Sequence, residues 1–318
     1  MSGPSHQDHR SRFEHPLLER YASDEMAALF SARRRVQTWR QIWVALAESQ
    51  AELGIGGVTT EQVAALKEAI DQVDFDRAEE LERELRHDVM AHIRTYGEAA
   101  PLAAGVIHLG ATSAFVVDNG DLLIMREALH LVERKALCVV KALAEFAESH
   151  ADRPTLAWTH FQPAQPTTVG KRACMWIADL MFDLDEIRYR LDSFRLRGIK
   201  GTTGTQASFM ALTDGDAERV DALEDAVVEK LAADGALPIT GQTYSRRVDA
   251  AWAATLTGIA QSASKFSYDM RLLQHLGEVL EPFGKQQVGS SAMAYKRNPI
   301  RAERMSGLSR LALQTGAN

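Results

Sequence analysis

Apolar residues recur along this chain at alternating intervals of three and four. Val36, Trp39, Trp43, Leu46 and Leu53 follow that rhythm, with one beat missed at Gln50. Leu122, Met125, Leu129, Val132, Ala136, Val139, Leu143 and Phe146 sustain it through a longer segment. So do Ile177, Leu180, Leu184, Ile187, Leu191 and Phe194, and again Trp252, Leu256, Ile259, Ala263, Phe266, Met270 and Leu273. This spacing gathers side chains on one stripe of an α-helix. Stripes of such length suit long helices packed nearly antiparallel in a bundle. No segment alternates convincingly in the manner of a strand, so the pattern predicts an all-α fold.

Between the stripes lie segments rich in Gly, Pro and small residues: Pro101–Ser113, Ala151–Gly170, Gly198–Gly204, Gly235–Tyr244 and Gly284–Pro299. Gly and Pro mark turns that a helix does not continue through. The hydrogen-bonding side chains are concentrated in these loops, the usual placement of function on a rigid scaffold. The organisation expected is a flexible tail over residues 1–19, an N-terminal helical domain over 20–111 and a central helical-bundle domain over 112–318.

Composition narrows the function classes. The 318 residues suffice for two domains, and 46% hydrophobic with 25% charged residues fits a soluble globular protein. A net charge of −7 argues against general nucleic-acid or membrane-surface binding, which needs a basic face. Cys138 and Cys174 are too few for a disulfide framework or a zinc site. No apolar run reaches the ~18 residues of a membrane span, and Met1–Glu14 lacks the apolar core of a secretory signal. A cytoplasmic location is expected.

Four segments carry candidate chemistry. Gly289-Ser290-Ser291-Ala292-Met293-Ala294-Tyr295-Lys296-Arg297-Asn298-Pro299 offers free amides and two cations, which can bind a carboxylate and close over it. An ordinary solvated loop has the same composition. Thr159-His160-Phe161-Gln162-Pro163-Ala164-Gln165-Pro166 places a histidine, the usual general acid or base near neutrality, in a Pro-stiffened loop. A structural or merely exposed histidine is the competing reading. Arg86-His87-Asp88-Val89-Met90-Ala91-His92 spaces its histidines five apart, off a common helix face, so a metal pair is not expected. Arg86 can grip a phosphate, or simply a neighbouring carboxylate. Gly198-Ile199-Lys200-Gly201-Thr202-Thr203-Gly204-Thr205-Gln206 can approach an anion, although it lacks the Gly-Lys-Ser/Thr ending of a phosphate-binding P-loop.

Taken together, these motifs resemble the fumarase/aspartase superfamily. The Lys-Arg-Asn-Pro ending, Arg86-His87-Asp88 and the Thr-His-Phe-Gln-Pro-Ala-Gln loop narrow the resemblance to the adenylosuccinate lyases. Arg20-Tyr21-Ala22-Ser23, Leu109-Gly110-Ala111-Thr112-Ser113, Lys200–Ser208 and Thr240-Gly241-Gln242-Thr243-Tyr244 extend it in order from about residue 20 to about residue 310.

The resemblance implies a β-elimination of fumarate from adenylosuccinate, giving AMP, and from the related succinyl carboxamide ribotide of purine biosynthesis. Such chemistry needs a base, an acid at the departing nitrogen, and dipoles or cations aimed at the dianion that forms between them. By resemblance Ser290 is the base, with Lys296 and the backbone amides of the Gly289–Ala292 turn as its activators, and His160 is the acid. His87 supports binding or proton transfer. Arg20, Tyr21, Arg86 and Asp88 match nucleotide-binding positions, Thr112 and Ser113 the hydroxyl pair that holds a substrate carboxylate, and Gln242 and Arg304 further substrate contacts. No metal or organic cofactor is implied. A homotetramer is implied, with each active site assembled from segments of three subunits.

Two departures from the family pattern stand out. Ala294 occupies a position where Pro is usual, and the chain stops soon after the signature loop, before the C-terminal helical domain that family members carry. A C-terminally truncated chain is therefore expected. The competing functions are an inactive truncated paralogue or structural helical assembly protein, and another superfamily lyase such as argininosuccinate lyase or fumarase.

Overall fold

The computed structural model describes residues 15–316. Of the expected tail, residues 1–14 lie outside the described residues, and Pro16–Arg20 form a short helix, α1. Then follow α2 (Asp24–Leu29), α3 (Ala32–Glu52), α4 (Thr60–Glu68), α5 (Phe75–Leu85), α6 (Asp88–Ala99) and α7 (Ser113–Ser149). A hairpin, β1 (Pro154–Thr159) and β2 (Gln162–Thr168), precedes α8 (Val169–Asp192), α9 (Ala207–Leu212), α10 (Ala217–Lys230), α11 (Arg247–His275) and α12 (Ile300–Gly316). Helix starts are written in the local sequence. Ser31, Asp74, Thr168 and Asp216 each accept an amide of the first turn of the helix that follows. Thr59 and Gln62 form a reciprocal capping box at α4.

Contacts group the residues into two compact units. One comprises the residues up to Leu131 with Phe194–Tyr244, the other Val132–Ser193 with the residues from Ser245 onward. The helix α7 contributes its first part to one unit and its second part to the other.

In the first unit α3 packs against α4 and α10. Its stripe is buried: Val36, Trp39, Trp43 and Leu46 are each about 1% exposed. Trp39 meets Trp43 and His92 edge to face, and the Tyr96 hydroxyl donates to the Leu66 carbonyl at 2.7 Å. This aromatic cluster buries large apolar area at low conformational cost.

In the second unit α11 packs against both α8 and α12. Ala147, Ala173, Trp176 and Leu273 form its core, flanked by Leu143, Ile177, Phe266 and Met270. The Trp176 indole donates to Asp269 at 2.8 Å, which satisfies the polar atom of an otherwise apolar contact. The stripe residues Val139 and Leu256 remain open here, 49% and 46% exposed, as does Phe182 off the stripe, 73% exposed.

The hairpin stands where the sequence predicts a Pro-containing loop between helices, Ala151–Gly170. Pro163 and Pro166 lack the N–H that sequence reading looks for in a ladder. A two-stranded sheet has only edge strands, where Pro is tolerated. Leu156 pairs with Pro166 and Trp158 with Pro163, so Ala164 and Gln165 face the single residue Ala157 in a bulge.

Candidate active site

Most of the nucleotide-side candidates fall in the first unit. Arg86 ends α5 in the left-handed conformation (φ 55°), donating its amide to Glu82 at 2.7 Å, and the chain turns at once into α6. His87 caps α6: its Nδ1 accepts the Met90 amide at 3.4 Å, while Asp88 accepts the Val89 amide at 2.7 Å. With Nδ1 so used, a neutral ring carries its proton on Nε2, which lies 3.4 Å from the Ser113 hydroxyl. Ser113 is the first residue of α7, and Thr112, just before it, is buried. Hydroxyls at a helix start, beside its first-turn amides, suit a carboxylate. Arg20 closes α1 and Tyr21 caps it; both are exposed.

Buried polar residues fix the loops beside α7. Arg197, fully buried, donates to the carbonyls of Gln242 at 2.9 Å and Gly201 at 2.9 Å, and also to that of Lys200. Asp118 on α7 accepts the Tyr244 amide at 2.8 Å and lies 4.0 Å from the Arg197 guanidinium. Its neighbour Asn119 donates to the Gly198 carbonyl and accepts the Gly198 amide, each at 3.2 Å. Gly204, at φ +80°, has the Thr240 carbonyl 1.9 Å from where a Cβ would stand, so only glycine permits this loop contact. Segments 198–204 and 240–244 are thus tied to each other and to α7, which holds the exposed Gln242 side chain on a rigid base. Lys200 is buried against Glu224 at 2.8 Å, so its charge is already neutralised.

The acid–base candidates fall in the second unit. His160 and Phe161 form the two-residue tip of the hairpin, both with left-handed φ (52° and 60°), as in a type I′ turn. Non-glycine residues in that region cost roughly 1–3 kcal/mol each and persist only where the surroundings impose them. His160 lines a groove of about 400 Å³ with Trp158, Arg172, Met175, Asp269 and Leu272; Ser290, Lys296 and Arg304 are not among its lining residues. Ser290 lies half-buried in the loop before α12. Its Oγ accepts the amides of Ala292 and Met293, each at 3.2 Å. The loop closes on itself at its base. The Lys296 carbonyl lies 2.0 Å from where a Gly289 Cβ would stand, and the Asn298 side-chain Nδ2 donates to the Gly289 carbonyl at 3.2 Å. The Lys296 side chain is exposed, and Arg304 stands on the first turns of α12.

The family model described as Lyase matches residues 19–313. The chain belongs to this lyase family. It is 50% identical over 297 residues to the adenylosuccinate lyase of Saccharomyces cerevisiae, covering 93% of this chain and 62% of that relative. It is 33% identical over 299 residues to the adenylosuccinate lyase of Pyrococcus abyssi, covering 93% and 65%. The chain therefore spans less than two thirds of the length of these relatives. Among solved structures it resembles fumarate lyase from Mesorhizobium sp. BNC1, with a TM-score of 0.79 and 25% identity over 93% of this chain and 65% of that one. It also resembles 3-carboxy-cis,cis-muconate lactonizing enzyme from Pseudomonas putida, with a TM-score of 0.80 and 26% identity over 93% and 66%.

In this lyase-family chain the structure brings His87 to Ser113 and secures the Gln242 loop beside α7. Sequence reading missed His108, one residue before the quoted Leu109–Ser113 motif. Its Nδ1 accepts the Trp43 indole N–H at 2.9 Å, which leaves the ring proton on Nε2. Burial, with the adjacent His87 charge, pushes its pKa down to about 4. His108 sits at φ 69°. Arg86, His160 and Phe161, on candidate segments, and His108 beside one are non-glycine residues in the left-handed region. Sequence pattern gives no sign of this strain.

His92, buried against Trp39 and Phe75, is likewise pushed down to about 4, chiefly by burial and then by Arg40 and Arg35. Both histidines are neutral in the folded state where the unfolded chain, with an ordinary pKa near 6.5, takes up protons. Their stabilisation is complete above about pH 6.5 and is lost progressively as the pH falls towards 4. Urea unfolding at pH 7.5 and 4.5 should show a loss on the order of 3 kcal/mol per histidine. His92→Phe should flatten that dependence by about half.

Proposed function

We propose that this chain catalyses the β-elimination of fumarate from adenylosuccinate, and from the succinyl carboxamide ribotide of purine biosynthesis, as a cytoplasmic homotetramer. The substrate comes from the relatives; what this chain itself contributes is the setting of Ser290. A serine hydroxyl becomes a usable base only when its deprotonated form is favoured. The two amides that donate to Ser290 Oγ favour that form, and loop closure that excludes water would strengthen them. In this reading Ser290 removes the proton beside the substrate carboxylate. His160 returns a proton to the departing nitrogen, and Lys296 adds positive charge to the closed loop. Thr112 and Ser113 hold a carboxylate at the start of α7, with His87 oriented by Met90 beside them. Arg20, Tyr21, Arg86 and Asp88 take the nucleotide, and Gln242 and Arg304 complete the contacts.

The acid–base residues lie in one compact unit and the nucleotide-side residues in the other. The exposed residues Val139, Leu256 and Phe182 are apolar surface of the kind subunit contacts cover. The first test is the loss of adenylosuccinate absorbance on adding the purified chain, with its oligomeric mass measured in the same buffer. Turnover by a tetramer is expected. A well-formed tetramer without turnover would overturn the reading.

A further inference from the structure

We propose that Glu278 is a positioning residue that holds the hairpin so that His160 faces its groove; this rests on the reading of His160 as the acid. An isolated two-stranded hairpin is marginal in water. This one is weaker than most, because Pro163 and Pro166 remove ladder donors and its tip holds two strained residues. Something outside the ladder must fix it, and Glu278 is placed to do so. Its Oε1 accepts the Trp158 indole N–H at 2.8 Å. Its Oε2 accepts the Thr155 hydroxyl at 3.1 Å and the Arg172 guanidinium at 2.8 Å. Arg172 in turn donates to the Leu156 carbonyl at 2.8 Å. One carboxylate therefore grips β1 directly at Thr155 and Trp158, and at Leu156 through Arg172.

The anchor itself is rigid. Gly277, at φ 74°, ends α11 in the left-handed conformation; its amide donates to Gln274 at 3.1 Å and that of Glu278 to Leu273 at 2.9 Å. This is the Schellman arrangement, so the end of α11 dictates where Glu278 stands. Trp158 and His160 line the same groove. Holding the Trp158 indole therefore sets the side on which the tip presents His160. Burial would raise the Glu278 carboxyl, but the bonds from Arg172, Trp158 and Thr155 outweigh it and hold the group below its ordinary value. The clamp is thus charged at neutral pH. After Glu278 the chain enters the Ser290 loop. Glu281 fixes the far end of that segment by accepting the Arg301 and Ala302 amides at the start of α12.

The test uses Glu278→Ala, His160→Asn and the double variant in the full chain. A misplacement of about 1 Å costs up to about 100-fold in rate, so Glu278→Ala should lower kcat 10- to 100-fold with KM changed less than about 2-fold. If Glu278 acts through His160, the double variant is no slower than His160→Asn alone. Multiplying losses, or an unchanged kcat in Glu278→Ala, would overturn the proposal. Amide and Trp158 indole hydrogen exchange supplies a readout without turnover. Exchange should rise about 10-fold or more across Pro154–Thr168 and stay unchanged in α8 and α11. Unchanged protection of the hairpin would overturn the clamp. Full activity in His160→Asn, by contrast, would sink the acid assignment and leave the exchange result to decide the clamp.

Discussion

Replacing Ser290 with Ala should lower kcat by about 1,000-fold or more, while substrate affinity changes by no more than a few-fold. The asymmetry follows from what the hydroxyl touches. Its oxygen accepts two amides, those of Ala292 and Met293, so it caps the turn. Losing such a cap costs about 1 kcal/mol, and the two amides are in an exposed segment where water replaces the lost acceptor. The loop's closure does not depend on that oxygen. Gly289 still lies against Lys296, and Asn298 still binds the Gly289 carbonyl. Folding and binding are therefore preserved, and the proton-transfer step alone loses its base. The check is a pair of measurements on one preparation: turnover from adenylosuccinate absorbance, and equilibrium binding of the same nucleotide. Unchanged turnover removes Ser290 from the base role. Equal losses in turnover and binding would instead make it a substrate contact.

The helices were legible because burial repeats with helical period. The stripe Val36, Trp39, Trp43, Leu46 is buried as its spacing predicts, and capping residues such as Ser31 and Thr168 mark the starts. Periodicity could not say which stripe faces the chain's own core. Leu122 and Leu129 are buried, yet Val139 on the same stripe is half exposed, because burial there depends on surfaces beyond one helix. The hairpin was illegible for another reason. Its stability resides in Glu278, more than a hundred positions away in sequence, and its own residues carry prolines and an unfavourable turn pair.

The candidate site divides in the same way. His87, Ser113, His160 and Ser290 are candidates because the order of the motifs points to them. His108 and Arg197 were missed because their importance lies in what they touch. In sequence, Arg195-Leu196-Arg197-Gly198 resembles any charged surface turn. In the fold, Arg195 is half-buried and Arg197 has no exposed surface at all. Lys200 looked available for an anion and is instead paired with Glu224.

Arg197→Met should therefore destabilise the first unit by about 3–5 kcal/mol in urea unfolding. Burial pushes the Arg197 pKa down while Asp118 and Glu224 oppose that shift, and a guanidinium so far from its titration range stays charged. Its planar fork spans carbonyls from both loops at once, those of Gln242 and Gly201 at 2.9 Å among them. Methionine fills the space but leaves these acceptors unpaired and the Asp118 carboxylate buried without its cation. Arg197→Lys keeps the charge on a single point that cannot reach both loops, so it should recover less than half of the loss. The functional signature is distinct from simple instability. With the 240–244 loop released, Gln242 loses its fixed base, and at temperatures where Arg197→Lys is fully folded its KM should rise several-fold with kcat little changed. A loss below about 1 kcal/mol in Arg197→Met would mean that the neighbouring amides and Asn119 suffice to hold the loops, and that the buried cation is dispensable.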